Sequence, residues 1–299
     1  MARIFVTGGT GFVGKAIIHA LQAHGFVVRC LVRPGSEQDL RGFEAIERVP
    51  GDVLTPGGLA AGIEGCAAVI HLVGIIREHP GRGITFERLH TLATRVMTEA
   101  AREAGVRRYL QMSALGTRAN ARSIYHRTKW EAEELVRRSG LQWTIFRPSV
   151  IYGPGDGFVT MLARLVRWLP AVPVIGDGRY QLQPVPVEHV AEGFARALGR
   201  DVTIGQTYEV GGPRPYAFNE ILDLIGAALG KPKVRKVYHP LGVMRPLVSV
   251  FERLPAFPLT SDQLLMLVEN SVCDPAPFFK TFDLEPIDFP EGLRRMFQR

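Results

Sequence analysis

Cysteine is scarce: Cys30, Cys66 and Cys273 are the three in 299 residues, an odd number with no CxxC pair and no Cys/His ligand spacing. That excludes a disulfide framework and a zinc ribbon, and it predicts a reducing, cytoplasmic setting with no metal site. Long apolar runs are missing as well, none approaching the roughly 20 residues that cross a bilayer. No charged segment followed by an apolar core opens the chain, because strand-like sequence begins at Arg3, and this argues against export. There is no internal repeat and no low-complexity tract. Neither an aromatic-basic RNP pattern nor a basic stripe occurs, so no nucleic-acid partner is expected. The net charge of +7 comes from scattered arginines; it suits dinucleotide phosphates or an acidic membrane surface without choosing between them.

What the chain does have is glycine in a particular place. Residues 4–14 run Ile-Phe-Val-Thr-Gly-Gly-Thr-Gly-Phe-Val-Gly, a β-branched and aromatic segment that breaks into Gly8, Gly11 and Gly14. A strand turning tightly into a helix needs these positions free of Cβ atoms if the first helical amides are to face a pyrophosphate. Behind them Phe12, Val13, Ala16, Ile17, Ala20 and Leu21 recur at helical spacing, so the strand-turn-helix context is complete. Gly8, Thr10, Gly11, Phe12, Val13 and Gly14 are therefore candidate cofactor contacts.

Strand-like and helix-like segments then alternate. The pattern predicts strands at 26–32, 46–53, 67–73, 109–113 and 142–146, the last stopped by Arg147-Pro148. It predicts a helix whose face carries Phe86, Leu89, Ala93, Val96, Met97 and Ala100 and which stops at Gly105, and another over 125–138 ending before Gly140. Such alternation implies an α/β fold with a doubly wound parallel sheet and the ligand crevice at the carboxyl ends of its strands. From about Pro154 the pattern loosens and proline becomes frequent. The expected division is a dinucleotide-binding Rossmann domain over 1–153, its sheet completed by part of 176–215, and a smaller interleaved lobe over 154–299.

The second strand ends in Leu-Val-Arg-Pro-Gly-Ser. An arginine there suits the 2′-phosphate of NADP(H), where a carboxylate would suit the ribose hydroxyl of NAD(H), so Arg33, with Ser36, points to NADP(H) in preference to NAD(H). Asp52 and Val53, in a Gly-Asp-Val turn, are placed to meet the adenine amino group and pack its ring; Asp in such a turn is also ordinary turn chemistry. The catalytic candidates are Tyr125 and Lys129, four apart on a helix and so on one face. An ammonium beside a phenol favours the phenolate, and the same lysine is placed to bond a nicotinamide ribose. Ser113, one strand earlier, is the candidate for orienting a substrate; a strand-end hydroxyl bonded locally is the alternative.

These residues together resemble the short-chain dehydrogenase/reductase superfamily in its extended or atypical, epimerase/dehydratase-like branch. The motifs are Thr7 to Gly14, Gly51-Asp52-Val53, His71-Leu72-Val73-Gly74, the Tyr125/Lys129 pair and Arg147 through Gly155, over about half the chain. The resemblance implies that Leu72, Val73 and Gly74 line the adenosine side and that Pro148, Ser149 and Val150 pass the nicotinamide. Val187 to Ala191 resembles the segment returning from the substrate lobe. Tyr208 to Pro213 and, above all, Leu254 to Leu264 resemble bacterial relatives of the 39 kDa accessory subunit of respiratory complex I, whose role is closer to structure than to turnover. Three positions depart from the active extended pattern: Ala114 follows Ser113 where a Ser or Thr is usual, His90 replaces a helix asparagine, and Ser149 replaces an asparagine. Two functions follow: an NADP(H)-dependent oxidoreductase or epimerase acting on a carbonyl or alcohol, or a nucleotide-loaded accessory or assembly protein of a respiratory quinone-reducing complex.

Between Lys231 and Leu267 a cluster of Lys231, Lys233, Arg235 and Lys236 precedes an apolar stretch containing Leu241, Val243, Met244, Leu247, Val248, Val250, Phe251 and Leu254, interrupted by Pro246. The expectation is peripheral association with a membrane or a membrane-bound partner, against the alternative that these residues cap the small lobe's own core with Pro246 breaking the helix.

Overall fold

Alternation of period two decides how the chain is layered. In the computed structural model, which describes residues 1–43, 45–231, 233–252, 254 and 259–298, β1 (Arg3–Thr7) sends Ile4 and Val6 into one hydrophobic core and Phe5 into another. A strand buried on both faces belongs to the interior of a parallel sheet. There follow α1 (Phe12–Ala23), β2 (Val27–Val32), β3 (Ile46–Pro50), α2 (Leu59–Ile63), β4 (Ala68–His71), α3 (Ala93–Glu103), β5 (Arg108–Met112), α4 (Ile124–Arg138) and β6 (Gln142–Pro148).

Beyond these come β7 (Ile151–Tyr152), α5 (Phe158–Trp168), β8 (Val172–Ile175), β9 (Gln181–Leu182), β10 (Val185–Pro186), α6 (Val187–Ala197) and β11 (Gln206–Val210). The chain ends in β12 (Tyr216–Ala217), α7 (Phe218–Ala228), β13 (Lys236–His239), α8 (Leu241–Phe251), α9 (Ser261–Val268), α10 (Ala276–Phe282) and α11 (Phe289–Phe297).

Seven strands pair in parallel in the order β3-β2-β1-β4-β5-β6-β11. The chain leaves β1 toward one edge and returns through β4 toward the other, so the order reverses between them, where Thr7 stands beside His71. In an open α/β sheet the ligand crevice lies outside that reversal, at the carboxyl ends. One face of the sheet is covered by α1, α6 and α10 around Ile17, Phe194 and Phe282. The other is covered by α2, α3 and α4 around Ile63, Met97 and Val136. Each of these fully buried side chains contributes about 1.5 to 3 kcal/mol by leaving water. A third core around Tyr152, Leu162, Ile221 and Phe289 forms the smaller lobe. Four elements beyond residue 153, β10, α6, β11 and α10, contribute to the first core rather than the third.

Local details differ from the pattern read in the sequence. β6 runs through Arg147-Pro148: proline removes only the N–H, and its carbonyl still accepts from Leu115 N at 2.9 Å. β3 stops at Pro50, because Asp52 Oδ1 accepts from Leu54 N at 2.8 Å and turns the chain there. The long helix begins with a π-helical turn over Glu87–Leu92 that passes into α3. Helix α8 continues through Pro246, an exposed position in the middle of the helix where proline removes one backbone bond without ending it.

Candidate functional site

The turn after β1 is built around absent side chains. Gly8 has φ +76, a left-handed conformation, and a Cβ there would lie 3.1 to 3.2 Å from Leu72 and the Val73 amide. A Cβ on Gly14 would collide with the Gly8 carbonyl oxygen and stand 2.6 Å from Gly9 Cα. Gly11, the residue before α1, is exposed, has no side-chain cap and donates its N–H to Gly8 O at 3.1 Å. The first amides of α1, at Phe12 and Val13, have no acceptor outside the helix among the described residues, and the half-buried Thr10 precedes them. This cradle fits a dinucleotide pyrophosphate.

On the adenosine side, Arg33 is exposed just past β2 and makes no ion pair among the described residues. Ser36 N bonds back to Arg33 O at 2.9 Å, closing the loop. Val53 is buried against Leu31, whereas the Asp52 carboxylate is half-buried with one oxygen committed to its own turn.

The end of β4 meets the start of α4. Thr7 Oγ1 and His71 Nδ1 share a hydrogen bond at 2.7 Å across the strand-order reversal. After Leu72 and Val73 comes Gly74, exposed, where a Cβ would lie 2.8 Å from Lys129 Nζ and 3.5 Å from His90 Nε2. Lys129 is buried and donates to the Met112 carbonyl at 3.2 Å. Burial lowers its pKa to about 8, against the pull of Glu133. His90 faces Tyr125 edge-on, with ring centroids 5.3 Å apart. Its Nδ1 shares a hydrogen bond with Thr128 Oγ1 at 2.9 Å, and Ile75 N–H donates to its Nε2 at 3.2 Å. Burial, with Lys129 acting in the same direction, lowers His71 to about 3 and His90 to about 2, so both are neutral imidazoles. The Tyr125 hydroxyl goes up, to about 12, chiefly through burial and secondarily through Asp262. The resting group is thus the phenol, against the expectation that the lysine would favour phenolate: desolvation outweighs it.

Ser113 is not free. Its hydroxyl donates to Glu133 Oε1 at 2.6 Å, and Glu133, fully buried, is held at 2.8 and 2.6 Å by Arg147 and at 2.6 Å by Arg137. The expected orienting hydroxyl is therefore committed to an ion-pair network beneath the site. Pro148 is buried in β6; Ser149 Oγ bonds to Ser271 and accepts from Gln183 N, and Val150 O accepts from Val185 N. Gly8 thus lies against Leu72 and Val73, Gly74 against Lys129 and His90, and His90 against Tyr125, while Ser113 is bonded to Glu133 and Ser149 to Ser271 and Gln183.

A family model described as NAD(P)H-binding matches residues 8–162, more than half the chain. The chain belongs to this family, within the extended short-chain dehydrogenase/reductases. A second model, the RmlD substrate binding domain, matches residues 116–224. The chain is 30% identical over 299 residues to mitochondrial NADH dehydrogenase [ubiquinone] 1 alpha subcomplex subunit 9 of Arabidopsis thaliana, covering 94% of this chain and 73% of that protein. It is 33% identical to the ceramide reductase of Caulobacter vibrioides over 65% of this chain and 59% of that one. The solved structure of gox2253 superposes with a TM-score of 0.79 at 25% identity, covering 100% of this chain and 97% of the other.

A strap against the start of α4, beside Tyr125, was not legible in the sequence. Asp262, at the start of α9, accepts from the backbone N–H groups of Ile124 at 2.6 Å and Tyr125 at 3.1 Å, capping α4 from 137 residues away. Glu269 pairs with Arg118 at 2.6 Å and lies 3.6 Å from His126 Nδ1. A Thr260/Gln263 capping box was the one local sign that a helix starts here. Of the segment from Leu254 to Leu264, residues 255–258 lie outside the described residues.

Proposed function

We propose that this chain is an NADP(H)-dependent oxidoreductase acting on a carbonyl or alcohol, with Tyr125 as its acid/base. The observation that carries this reading is the run of contacts from Gly74 to Lys129 and His90, and from His90 to Tyr125, just past the reversal of strand order and beside a glycine turn open to a pyrophosphate. When bound there, a nicotinamide supplies the hydride donor or acceptor. Gly8 to Gly14 hold the pyrophosphate through backbone amides, Arg33 and Ser36 select the 2′-phosphate, and Asp52, Val53 and Leu72 to Gly74 bound the adenosine. Pro148 to Val150 wall the nicotinamide end. Tyr125, a neutral phenol at physiological pH, is a proton donor suited to reduction; the ammonium of Lys129, fixed on Met112 O, presents a positive charge to the ribose and stabilises the phenolate left behind. Ser113 positions β5 and α4 through Glu133 and does not touch the substrate. Purified protein with NADPH, offered long-chain ketones, quinones and nucleotide sugars, tests the reading by loss of NADPH absorbance. Tyr125→Phe is expected to lower kcat at least about 100-fold with cofactor affinity unchanged, and Lys129→Ala to weaken both.

A second reading is favoured by the engagement of Ser113 and the capping of α4 by Asp262: the cofactor is held for stability, and the chain serves as an accessory or assembly protein of a respiratory complex, as the name of the Arabidopsis relative suggests. Retention of tightly bound NADPH with no turnover on any class of carbonyl, together with respiratory-complex subunits recovered on cross-linking, would favour it.

A further inference from the structure

Helix α8 presents an apolar side to the outside. Val243, Leu247 and Val250 recur at steps of four and three, which places them on one face, and they are 61%, 40% and 67% exposed; Leu254, just beyond the helix, is 52% exposed. Within α8 only Val248 is buried. The strand leading into it, β13, is an edge strand paired only with β8, and it exposes Val237 and Tyr238. At the end of α5 stands Trp168, 78% exposed. Single exposed apolar residues mean little, but exposed apolar side chains on α8, on β13 and at the end of α5 together are more than scatter.

The charge beside it says what it meets. Residues 231–251 contain five Lys and Arg and no Asp or Glu. Two of the four clustered cations are internally engaged: Lys231 donates to the Val166 and Arg167 carbonyls at the end of α5, and Lys236 pairs with Asp223 at 2.5 Å. Lys233 and Arg235 are exposed and have no ion pair among the described residues. With Lys231, Leu169 and Pro170 they line a cavity of about 260 Å³. Arg235 immediately precedes β13, and at about 3.3 Å per residue that strand sets α8 roughly one strand length from these cations. An aliphatic helix face, an exposed tryptophan and unpaired cations are what the interfacial zone of an anionic bilayer accommodates: apolar side chains toward the acyl chains, indole at the headgroup level, Lys and Arg on the phosphates. Among the described residues no helix is long and apolar enough to cross a membrane, so the contact is peripheral.

We propose that this face of the smaller lobe docks on an anionic lipid bilayer, α8 lying in the interface with Lys233 and Arg235 over the headgroups. This goes beyond the nicotinamide reading and does not depend on it. The full chain is sedimented with vesicles of phosphatidylcholine alone and of phosphatidylcholine with phosphatidylglycerol, at low and high salt. Binding is expected only to the anionic vesicles, weakening steeply as salt rises. The pair Lys233→Gln/Arg235→Gln should reduce it about 30-fold, and Val243→Asp/Val250→Asp at least about tenfold. Unchanged thermal unfolding of the variants shows that they fold, and unchanged NADPH binding separates this surface from the cofactor site. No binding to anionic vesicles overturns the proposal, as does equal binding to neutral ones or insensitivity to both pairs of substitutions. A stable dimer abolished by Val250→Asp, with no vesicle binding, assigns the face to a second copy and also overturns it.

Discussion

The Ser113 hydroxyl and the Glu133 carboxylate are 2.6 Å apart, with Arg147 and Arg137 closing around the same carboxylate. A hydrogen bond to a buried charge contributes about 1.5 to 3 kcal/mol, so Ser113→Ala should destabilise by that amount in urea unfolding while leaving any turnover within a few-fold. Glu133→Ala removes the shared acceptor and leaves Arg147 only the distant Glu209, while Arg137 keeps Glu134; the expected cost is about 3 kcal/mol. Loss of turnover in Ser113→Ala without loss of stability would return the serine to the substrate.

Gly14 and Gly11 separate fold from binding. A methyl at Gly14 overlaps the Gly8 carbonyl, so Gly14→Ala should cost about 1 to 3 kcal/mol or more and displace the turn. At Gly11 a methyl meets only Gly8 O, at 3.4 Å. Gly11→Ala should therefore leave the unfolding midpoint nearly unchanged and weaken NADPH binding, because the methyl stands where the phosphates approach. Titration of NADPH fluorescence beside thermal unfolding distinguishes the two variants.

Arg33 stands exposed past the end of β2 with no partner ion among the described residues. Loss of one charge-assisted hydrogen bond should make Arg33→Asp bind NADPH about 10- to 150-fold more weakly, with NADH affinity held or improved. Equal wild-type affinities for the two cofactors, measured by calorimetry, would remove the assignment of this residue to the 2′-phosphate.

Four buried histidines make the fold acid-sensitive; burial lowers His126 as well as the three with the largest shifts. Burial lowers His189 to about 4, His71 to about 3 and His90 to about 2. Each stays neutral in the folded chain while the unfolded chain takes up a proton below about pH 6.5. Their stabilising contribution is complete above that value and is lost as pH falls from 6.5 toward each folded pKa, at about 1.4 kcal/mol per pH unit per histidine. Urea unfolding between pH 7.5 and pH 5 should show this slope, as the part remaining after carboxylate titration. His189→Gln should reduce it by about a quarter to a third; an unchanged slope would mean that His189 is protonated in the folded state.

Proximity along the chain separates what was legible in the sequence from what was not. The glycine turn, the parallel sheet and the shared face of Tyr125 and Lys129 follow from steric limits on φ, from two- and 3.6-residue periods and from the short reach of strand-turn-helix units, all local rules written in neighbouring residues. The interruption at Pro246 and the stop at Arg147-Pro148 are local signals too, but both were overridden, because an exposed helix tolerates one missing bond and a strand retains its carbonyl. Only the tertiary structure decided that Ser113 answers to Glu133, that Asp262 caps the helix of Tyr125 and that Lys231 and Lys236 are consumed internally. It alone decided which way the Tyr125 and Lys129 protons are biased. Those outcomes depend on which groups, distant in sequence, are desolvated together, and desolvation is a property of the packed interior rather than of any segment of the chain.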